Sequence, residues 1–214
     1  HVHKLGMPRE VQVVPHEPTG TGRLRVLHSP SRAGIKGSKR IRAIAESLQA
    51  RYDFEWVELT GRPNAEVLDE IARCDFVVDQ LYADTPMAVF AGEAACLGKP
   101  ALVGGAYAEY LARHVEADDI PPSLFVPPDQ FESAFERLLS DSTYRVELGN
   151  RAREYVHSRW QPEQVAARYL ELIGDVVPES WWFDPSQIEA TAGISFEAER
   201  VRAMIRELLA LPLP

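Results

Sequence analysis

Two cations and two glycines lie close together in the segment S-P-S-R-A-G-I-K-G-S, residues 29–38. Glycine lets an anion approach the backbone, and the N–H groups at a helix N-terminus attract negative charge. Arg32 can hold a phosphate as a planar fork, and Lys36 as a point charge. With Gly37, they predict a phosphate-binding loop; a solvated loop with ordinary surface cations is the alternative. The segment matches neither the dinucleotide fingerprint nor the P-loop.

Carboxylates form the second group of candidate functional residues. Glu93 is the one acid in the apolar segment M-A-V-F-A-G-E-A-A-C-L-G, residues 87–98. Burying a carboxylate is unfavourable unless it is hydrogen-bonded. We therefore expect Glu93 to accept hydrogen bonds, either from ligand hydroxyls or from backbone N–H groups. Asp79 and Asp84 flank Tyr82 in the segment after a short apolar stretch, and these three residues are further candidates.

Other catalytic chemistries have little support in the sequence. The nucleophile motif Gly-x-Ser-x-Gly is absent. The six histidines show no metal-ligand spacing and no cysteine partner. We expect neither a bound metal nor a cofactor. His28 stands at the end of a predicted strand, where it either faces a cleft or is a hydrogen-bonded strand-end residue.

The composition restricts the partners. The 214 residues carry 23 Lys and Arg against 32 Asp and Glu, a net charge of −9. General nucleic-acid binding needs a basic surface and is not expected, whereas a phosphate ligand needs only a local group of cations. No apolar run approaches the ~20 residues of a membrane span. Cys74 and Cys96 lie in apolar segments, as free thiols do in a reducing compartment, and no secretory signal is recognisable. A cytoplasmic location is therefore expected.

The elements that must position these residues alternate between strand and helix. Apolar stretches predict strands over residues 24–28, 54–59, 75–79, 100–103 and 124–126. Helical spacing predicts helices over residues 38–50, 65–72, 87–97, 131–140, 143–159 and 162–175, and Asn64 is the expected N-cap of the second. This order predicts a doubly wound, Rossmann-like α/β domain with a parallel sheet and helices on both faces.

The domain spans residues 23–175 in this interpretation. Residues 1–22 are interpreted as a linker, and residues 176–214 as a C-terminal helical extension with an aromatic cluster at 181–183 and a helix over 197–211. Ligands bind doubly wound sheets outside the carboxyl ends of the strands, where the strand order reverses. In the Rossmann order the first and fourth strands flank that point. The loop 29–38 and the turn Gly104-Gly105 are then expected to face one ligand.

Three stretches together resemble the C-terminal, donor-binding domain of a retaining GT-B glycosyltransferase of family four (glycosyl transferases group 1). They are H-S-P-S-R-A-G-I-K-G-S at 28–38, C-D-F-V-V-D-Q at 74–80 and G-E-A-A-C-L-G-K-P-A-L-V at 92–103. The third is the most specific. The resemblance implies that the chain forms one half of a GT-B fold, and it covers residues 23–175.

The resemblance implies a role for each matched residue. Arg32 and Lys36 would neutralise the diphosphate, the leaving group, and so act as the catalytic residues. Glu93 would bind the ribose hydroxyls, and Glu58 and Leu59 would lie near the base. The remaining residues expected to bind the donor are Gly37, Asp79, Tyr82, Asp84, Gly104 and Gly105. The family carries a second acid eight residues before the glutamate; Thr85 stands there, so either the neighbouring Asp84 replaces it or the pattern is interrupted.

The implied reaction transfers a sugar from a nucleotide-sugar to an unidentified acceptor with retained anomeric configuration. GT-B enzymes hold the acceptor in an N-terminal domain, for which this chain has no room. We therefore expect either the C-terminal domain of a longer protein or a divergent single-domain relative. A non-catalytic nucleotide- or partner-binding module of the same fold is the alternative. Another Rossmann-like enzyme, such as an epimerase, is a third interpretation.

Overall fold

Five parallel strands form one sheet in the described part of the chain. The computed structural model describes residues 23–106, 108, 109, 111 and 115–182, and the isolated positions 7, 11, 199, 202, 203 and 206. The strands are β1 (Leu24–His28), β2 (Phe54–Glu58), β3 (Phe76–Val78), β4 (Ala101–Gly104) and β5 (Leu124–Val126). Their order in the sheet is β2-β1-β3-β4-β5. The predicted parallel α/β architecture is confirmed.

The strand order reverses between β1 and β3. β1 pairs with β2 on one side and with β3 on the other, and β3 pairs with β4. This is the flavodoxin-like order, whose switch point lies between the first and third strands. The expectation that the first and fourth strands flank this point is wrong, because short buried strands are apolar throughout and carry no signal for their neighbours. The loop after β1 therefore faces the loop after β3.

Helices cover both faces of this sheet. They are α1 (Ala33–Lys36), α2 (Ser38–Gln49), α3 (Asn64–Arg73), α4 (Val89–Cys96), α5 (Phe131–Ser140), α6 (Ser142–Arg159) and α7 (Pro162–Ile173). Short 3-10 turns cover Ala117–Asp119 and Glu179–Trp181. The predicted helices agree with these bounds to within two residues at each end, because their apolar residues recur at helical spacing.

Alternate strand residues point into two separate cores. Leu27, Val77 and Val103 pack with buried residues of α3, α4 and α6. Their sequence neighbours, among them Val26 and Leu102, pack with buried residues of α2 and α5 on the opposite face. Because successive side chains of a strand point to opposite faces, each strand contributes to both cores. The sheet is therefore covered on both sides, as in a doubly wound domain.

Helix α4 is buried on nearly every side, as its uniformly apolar sequence predicts. Its buried residues include Phe90, Ala91 and Ala94. Small side chains let it pack closely between neighbouring helices. Gly149 of α6 faces the turn after α4, where a Cβ would contact the carbonyl oxygen of Gly98. The one acid of the helix, Glu93, is half-buried.

Asn64 is not the N-cap of α3, contrary to expectation. The helix includes Asn64, and the capping position is Pro63, which provides no side-chain cap. The Asn64 amide Nδ2 instead donates a hydrogen bond to Glu93 Oε1 at 3.0 Å. The helix start tolerates the missing cap because the first N–H groups of a helix can be solvated.

Several expectations fall on other parts of the chain. Residues 1–22, Phe183 and the helix over 197–211 lie wholly or largely outside the described residues. Cys74 and Cys96 are both buried, and burial raises the pKa of the Cys74 thiol to about 12. Within the described ranges, no helix combines the length and apolar character needed to cross a bilayer.

Candidate functional site

The loop after β1 turns sharply at Gly37 before α2 begins. Gly37 has φ +75°, in the left-handed region that favours glycine. A Cβ at this residue would lie 2.9 Å from Leu81 Cβ and 3.0 Å from a ring carbon of Tyr82. The glycine therefore allows the loop after β3 to pack directly against the turn. Arg32 precedes α1 and is exposed, and the structure describes no partner for its guanidinium.

A buried ion pair joins the loops after β1 and β3. Lys36 Nζ donates to Asp79 Oδ1 at 2.6 Å. The Asp79 side chain is fully buried, and that of Lys36 is 15% exposed. The other carboxylate oxygen, Asp79 Oδ2, is buried without a hydrogen-bond partner in the described structure. An unpartnered buried polar atom is costly, so the Asp79 carboxylate lacks one hydrogen-bond donor at the switch point.

The segment 79–83 is held by backbone hydrogen bonds on both sides. The Leu81 N–H donates to the Lys36 carbonyl at 2.9 Å, on the side of β1. On the side of β4, the Gly104 N–H donates to the Gln80 carbonyl, and the Ala83 N–H donates to the Gly104 carbonyl, both at 2.7 Å. The loops after three adjacent strands are thus connected into one unit.

The space beside Gly104 and Gly105 is occupied by other atoms of the protein. A Cβ at Gly104 would lie 2.5 Å from the Leu81 carbonyl oxygen. A Cβ at Gly105 would contact the Ala83 carbonyl oxygen and lie 2.6 Å from the Phe125 ring. The space beside both glycines is therefore filled by the loop after β3 and by β5. Their contact with a ligand stays a prediction, and it would have to use the backbone.

His28 connects three elements beneath the ion pair. It is fully buried. Its Nδ1 lies 2.8 Å from the Val78 carbonyl and its Nε2 lies 2.8 Å from Ser38 Oγ. Because a carbonyl can only accept, Nδ1 carries the proton and the Ser38 hydroxyl donates to Nε2. Of the two interpretations for His28, the structure supports the hydrogen-bonded strand-end residue.

Because His28 is buried, we expect the folded protein to lose stability in mild acid. Burial lowers the pKa of His28, so the folded protein favours the neutral ring. In the unfolded chain the ring takes up a proton near pH 6.5. As the pH falls below that value the unfolded state binds more protons, and the free energy of unfolding decreases by up to ~1.4 kcal/mol per pH unit. We expect urea unfolding at pH 7.5 and 5.5 to show this slope, and H28N to reduce it.

The matched control for this slope is the exposed His157. H157N should retain the slope of the parent chain between the same two pH values. Equal slopes for H28N and the parent chain would contradict the assignment, since the slope would then come from other titrating groups.

Glu93 and Glu58 already have protein partners. Glu93 Oε1 accepts from Asn64, and the structure describes no partner for Oε2. Both oxygens of Glu58 accept from Arg42, at 2.7 Å and 3.0 Å. These hydrogen bonds from the Arg42 guanidinium lower the pKa of Glu58, which therefore stays ionised. Leu59 continues the pairing of β1 and β2, because its N–H donates to the His28 carbonyl at 3.0 Å.

The structure therefore brings part of the predicted site together. Lys36, Gly37, Asp79, Tyr82 and Gly104 are joined by the contacts described above. Tyr82 is 54% exposed.

Other predicted residues are held elsewhere. Glu58 is held by Arg42 and Glu93 by Asn64. Arg32 and Asp84 are exposed without described partners. The ligand role of every predicted site residue stays a prediction.

Sequence reasoning missed Ser38, Arg42 and Asn64 as partners of site residues. Arg42 carried a signal, because it is a cation on the predicted helix that directly follows the loop cations. The hydroxyl of Ser38 and the amide of Asn64 carried none, since each reaches a partner on another element, His28 of β1 and Glu93 of α4. Within the described ranges, no cluster of three metal-ligating side chains exists.

Comparison with known proteins gives a likeness of fold. No protein-family model and no curated protein matches the sequence. Among solved structures, S. aureus TarM in complex with UDP aligns at a TM-score of 0.53 and 12% identity, over 75% of this chain and 38% of that one.

Two further solved structures align less closely. The C-terminal domain of a group 1 glycosyl transferase (LpcC) from Francisella tularensis aligns at TM-score 0.49 and 14% identity, over 76% of this chain and 99% of that one. Sucrose-phosphate synthase from Thermosynechococcus elongatus aligns at 0.47 and 16%, over 82% and 51%. Of these three alignments, that with TarM has a TM-score above 0.5.

The likeness to TarM agrees with the parallel α/β architecture described above. It confirms that the chain has the fold of a GT-B glycosyltransferase domain, as the resemblance implied. The chain spans less than two fifths of the TarM chain. At 12% identity the likeness establishes the fold, and a shared fold does not establish a shared activity.

Proposed function

We propose that the chain is the donor-binding domain of a glycosyltransferase that uses a nucleoside diphosphate sugar. The observation that carries the proposal is the contact of Lys36 with Asp79 at the switch point, where doubly wound sheets bind ligands. Arg32 precedes the same short helix, exposed and without a described partner. These two cations in a chain of net charge −9 offer a local site for a diphosphate.

The chemistry requires cations at the leaving group. In the proposed transfer, the bond between the sugar anomeric carbon and the terminal phosphate oxygen breaks, and that oxygen keeps the electron pair. The acceptor hydroxyl oxygen forms the new bond on the same face, and its proton passes to the departing phosphate. Arg32 and Lys36 would stabilise the charge that develops there. Glu93 Oε2 would accept a hydrogen bond from a ribose hydroxyl.

Titration calorimetry with UDP, GDP, ADP and dTDP tests this proposal. We expect one of the four nucleotides to bind. R32A should weaken its binding at least tenfold, because the proposed contact between the guanidinium and the diphosphate is lost. Since Arg32 has no described partner in the protein, this variant should keep the fold intact. E93A should weaken binding by a similar factor.

The exposed Lys39 provides the control. K39A keeps the fold and removes one nearby charge, so it should change the affinity by less than threefold. An equal loss in K39A and R32A would reduce the effect to general electrostatics and contradict the assigned role of Arg32.

A non-catalytic module of the same fold is the second candidate. Lys36 is already neutralised by Asp79, and Glu93 already accepts from Asn64, which favours a site that has lost its ligand. This candidate predicts that none of the four nucleotides binds. Clear binding of one nucleotide, weakened in R32A, would exclude a site that has lost its ligand.

A further inference from the structure

Most of the exposed large apolar side chains lie in one short stretch of the chain. Within the described ranges, nine large apolar residues are exposed, and five of them fall between positions 169 and 182. Leu170 and Ile173 are 68% and 78% exposed. Single exposed apolar residues are normal on a protein surface, whereas a concentrated group marks a place of interaction. The five residues are Tyr169, Leu170, Ile173, Val176 and Trp182.

Three of these residues belong to a stripe along α7. Four exposed residues of this helix follow the spacing i, i+3, i+4, i+7, so they share one side of it. The helix has one buried residue, Val165, which borders this stripe. The apolar side of α7 is therefore wider than the part that packs on the domain. At 1.5 Å per residue, the stripe is about 10 Å long. Its members are Ala166, Tyr169, Leu170 and Ile173.

Val176 extends the stripe beyond the end of α7. Its N–H donates to the Glu171 carbonyl at 3.0 Å, and its Cγ2 would lie 3.2 Å from a Cβ placed on Gly174. Val176 is therefore folded back against the last turn of the helix, and it is 70% exposed. We call the five residues Ala166, Tyr169, Leu170, Ile173 and Val176 the α7 surface.

Unpaired acids lie beside the α7 surface. The stretch 162–182 carries four acids and one base. All four acids are exposed, and the structure describes no hydrogen bond or ion pair for their carboxylates. Glu171 follows Leu170 directly, and Asp175 precedes Val176. The base, Arg168, is half-buried, so the exposed charge of this stretch is negative. The other two acids are Glu163, two helical turns before Leu170, and Glu179.

Shape and charge together favour one class of partner. An apolar stripe along a helix packs well against a second helix, and exposed acids attract cations that lie beside it. A second copy of the same surface would bring acids against acids, and an anionic lipid surface would also be repelled. A helix with an apolar side flanked by lysines or arginines meets both requirements.

We propose that the α7 surface is a docking site for a basic amphipathic helix of a partner protein. The apolar side chains of that helix would pack along the stripe from Ala166 to Ile173. Its lysine or arginine side chains would reach Glu171 and Asp175. No residue of the proposed nucleotide site contributes to this surface, so docking is independent of the proposed transferase function.

Calorimetry of the full chain with two model peptides tests this proposal. The peptide LKKLLKLLKKLLKL forms a helix with leucines on one side and lysines on the other, and LEELLELLEELLEL is its acidic counterpart. We expect the lysine peptide to bind at least tenfold more tightly than the glutamate peptide. Equal affinities, or binding of neither peptide, would overturn the proposal.

I173E and V146E separate docking from the overall charge of the chain. Both place a glutamate at a position that is more than half exposed, on α7 and on α6, so neither should disturb the fold. I173E should weaken binding of the lysine peptide at least tenfold because it interrupts the stripe, although the added charge alone would strengthen binding. V146E should bind within twofold of the parent chain. Equal affinities of the two variants would contradict docking at α7.

Paired acid variants test the charges beside the α7 surface. E171Q/D175N removes two of the four acids, and asparagine tolerates the φ of 56° at position 175. This variant should weaken binding of the lysine peptide at least fivefold. E147Q/E154Q removes two exposed acids of α6 and should change the affinity by less than twofold. Equal losses would reduce the effect to general electrostatics and overturn the proposal.

Sedimentation and vesicle binding test other occupants of the same surface. A dimer of the parent chain that becomes a monomer in I173E would show that a second copy covers it. Binding of the parent chain to phosphatidylcholine vesicles, lost in I173E, would show that it meets lipid. Either result would overturn the proposal. We expect the same sedimentation coefficient and the same vesicle-bound fraction for I173E and the parent chain.

Discussion

Exchange of Lys36 for methionine is expected to lower the free energy of unfolding by about 3–5 kcal/mol. The methionine fills the space of the lysine stem but leaves the Asp79 carboxylate buried without a countercharge. Asp79 already has one oxygen without a partner, so the variant removes the single hydrogen bond described for its side chain. Urea unfolding at neutral pH measures the loss.

A double variant separates the ion pair from the rest of the loop. Replacing a buried ion pair by apolar residues of similar size is often neutral, so K36M/D79V should recover most of the stability lost in K36M. It should nevertheless fail to bind a nucleoside diphosphate, because the ammonium group is absent. Stability and ligand binding would thus be separated in one protein.

The exposed Lys39 serves as control for the stability measurement. Surface substitutions away from specific contacts change stability by about 0.5 kcal/mol or less, so K39M should unfold like the parent chain. A loss below 1 kcal/mol in K36M would contradict the description of a buried pair. It would indicate that water solvates the Asp79 carboxylate once the lysine has gone.

The second large effect is expected at Gly105, where alanine should cost about 3 kcal/mol. Overpacking a well-packed site costs typically 1–3 kcal/mol, and at Gly105 the added Cβ meets a backbone carbonyl and an aromatic ring, neither of which yields easily. Because the carbonyl belongs to Ala83, the displacement would reach the segment 79–83. G105A should therefore weaken nucleotide binding as well as lower the melting temperature.

Gly34 is the matched control for Gly105. A Cβ there has nothing within 4 Å, and the residue does not have positive φ. Since Ala is more favourable than Gly within a helix by up to about 1 kcal/mol, G34A should be neutral or slightly stabilising. If G105A melts like the parent chain, the loop after β3 must be able to move away from β4 without loss, contrary to the contacts described.

The local elements were predictable because each depends on nearby residues. The spacing of apolar residues in α2 and α5 identifies them as helices within a few turns. The short apolar stretches likewise identify the strands from a few residues each. The order of the strands depends instead on which strand pairs with the edge of β1 that β2 leaves open. That choice depends on segments far apart in sequence, so the Rossmann order suggested β4 where the structure has β3.

The same distinction applies to the site. Lys36 and Asp79 were each recognisable as candidates, because a cation in a glycine-containing loop and an acid after a strand are local patterns. Their contact was not predictable, since it requires β3 beside β1. Asn64 shows the converse. Its position at the start of a helix favours an N-cap. In the structure, however, its amide donates to the Glu93 carboxylate of the neighbouring α4, so a tertiary contact replaces the local cap.

The backbone hydrogen bonds that join the loops after β1, β3 and β4 have a consequence for the kinetics of recognition. Loops that must become ordered on binding lose entropy in the complex and add a slow step to association. Here the amides of Leu81, Ala83 and Gly104 are already bonded to fixed carbonyls. A ligand arriving at this edge of the sheet meets a surface that is already organised, so its association rate should be set by diffusion and charge rather than by rearrangement of the chain.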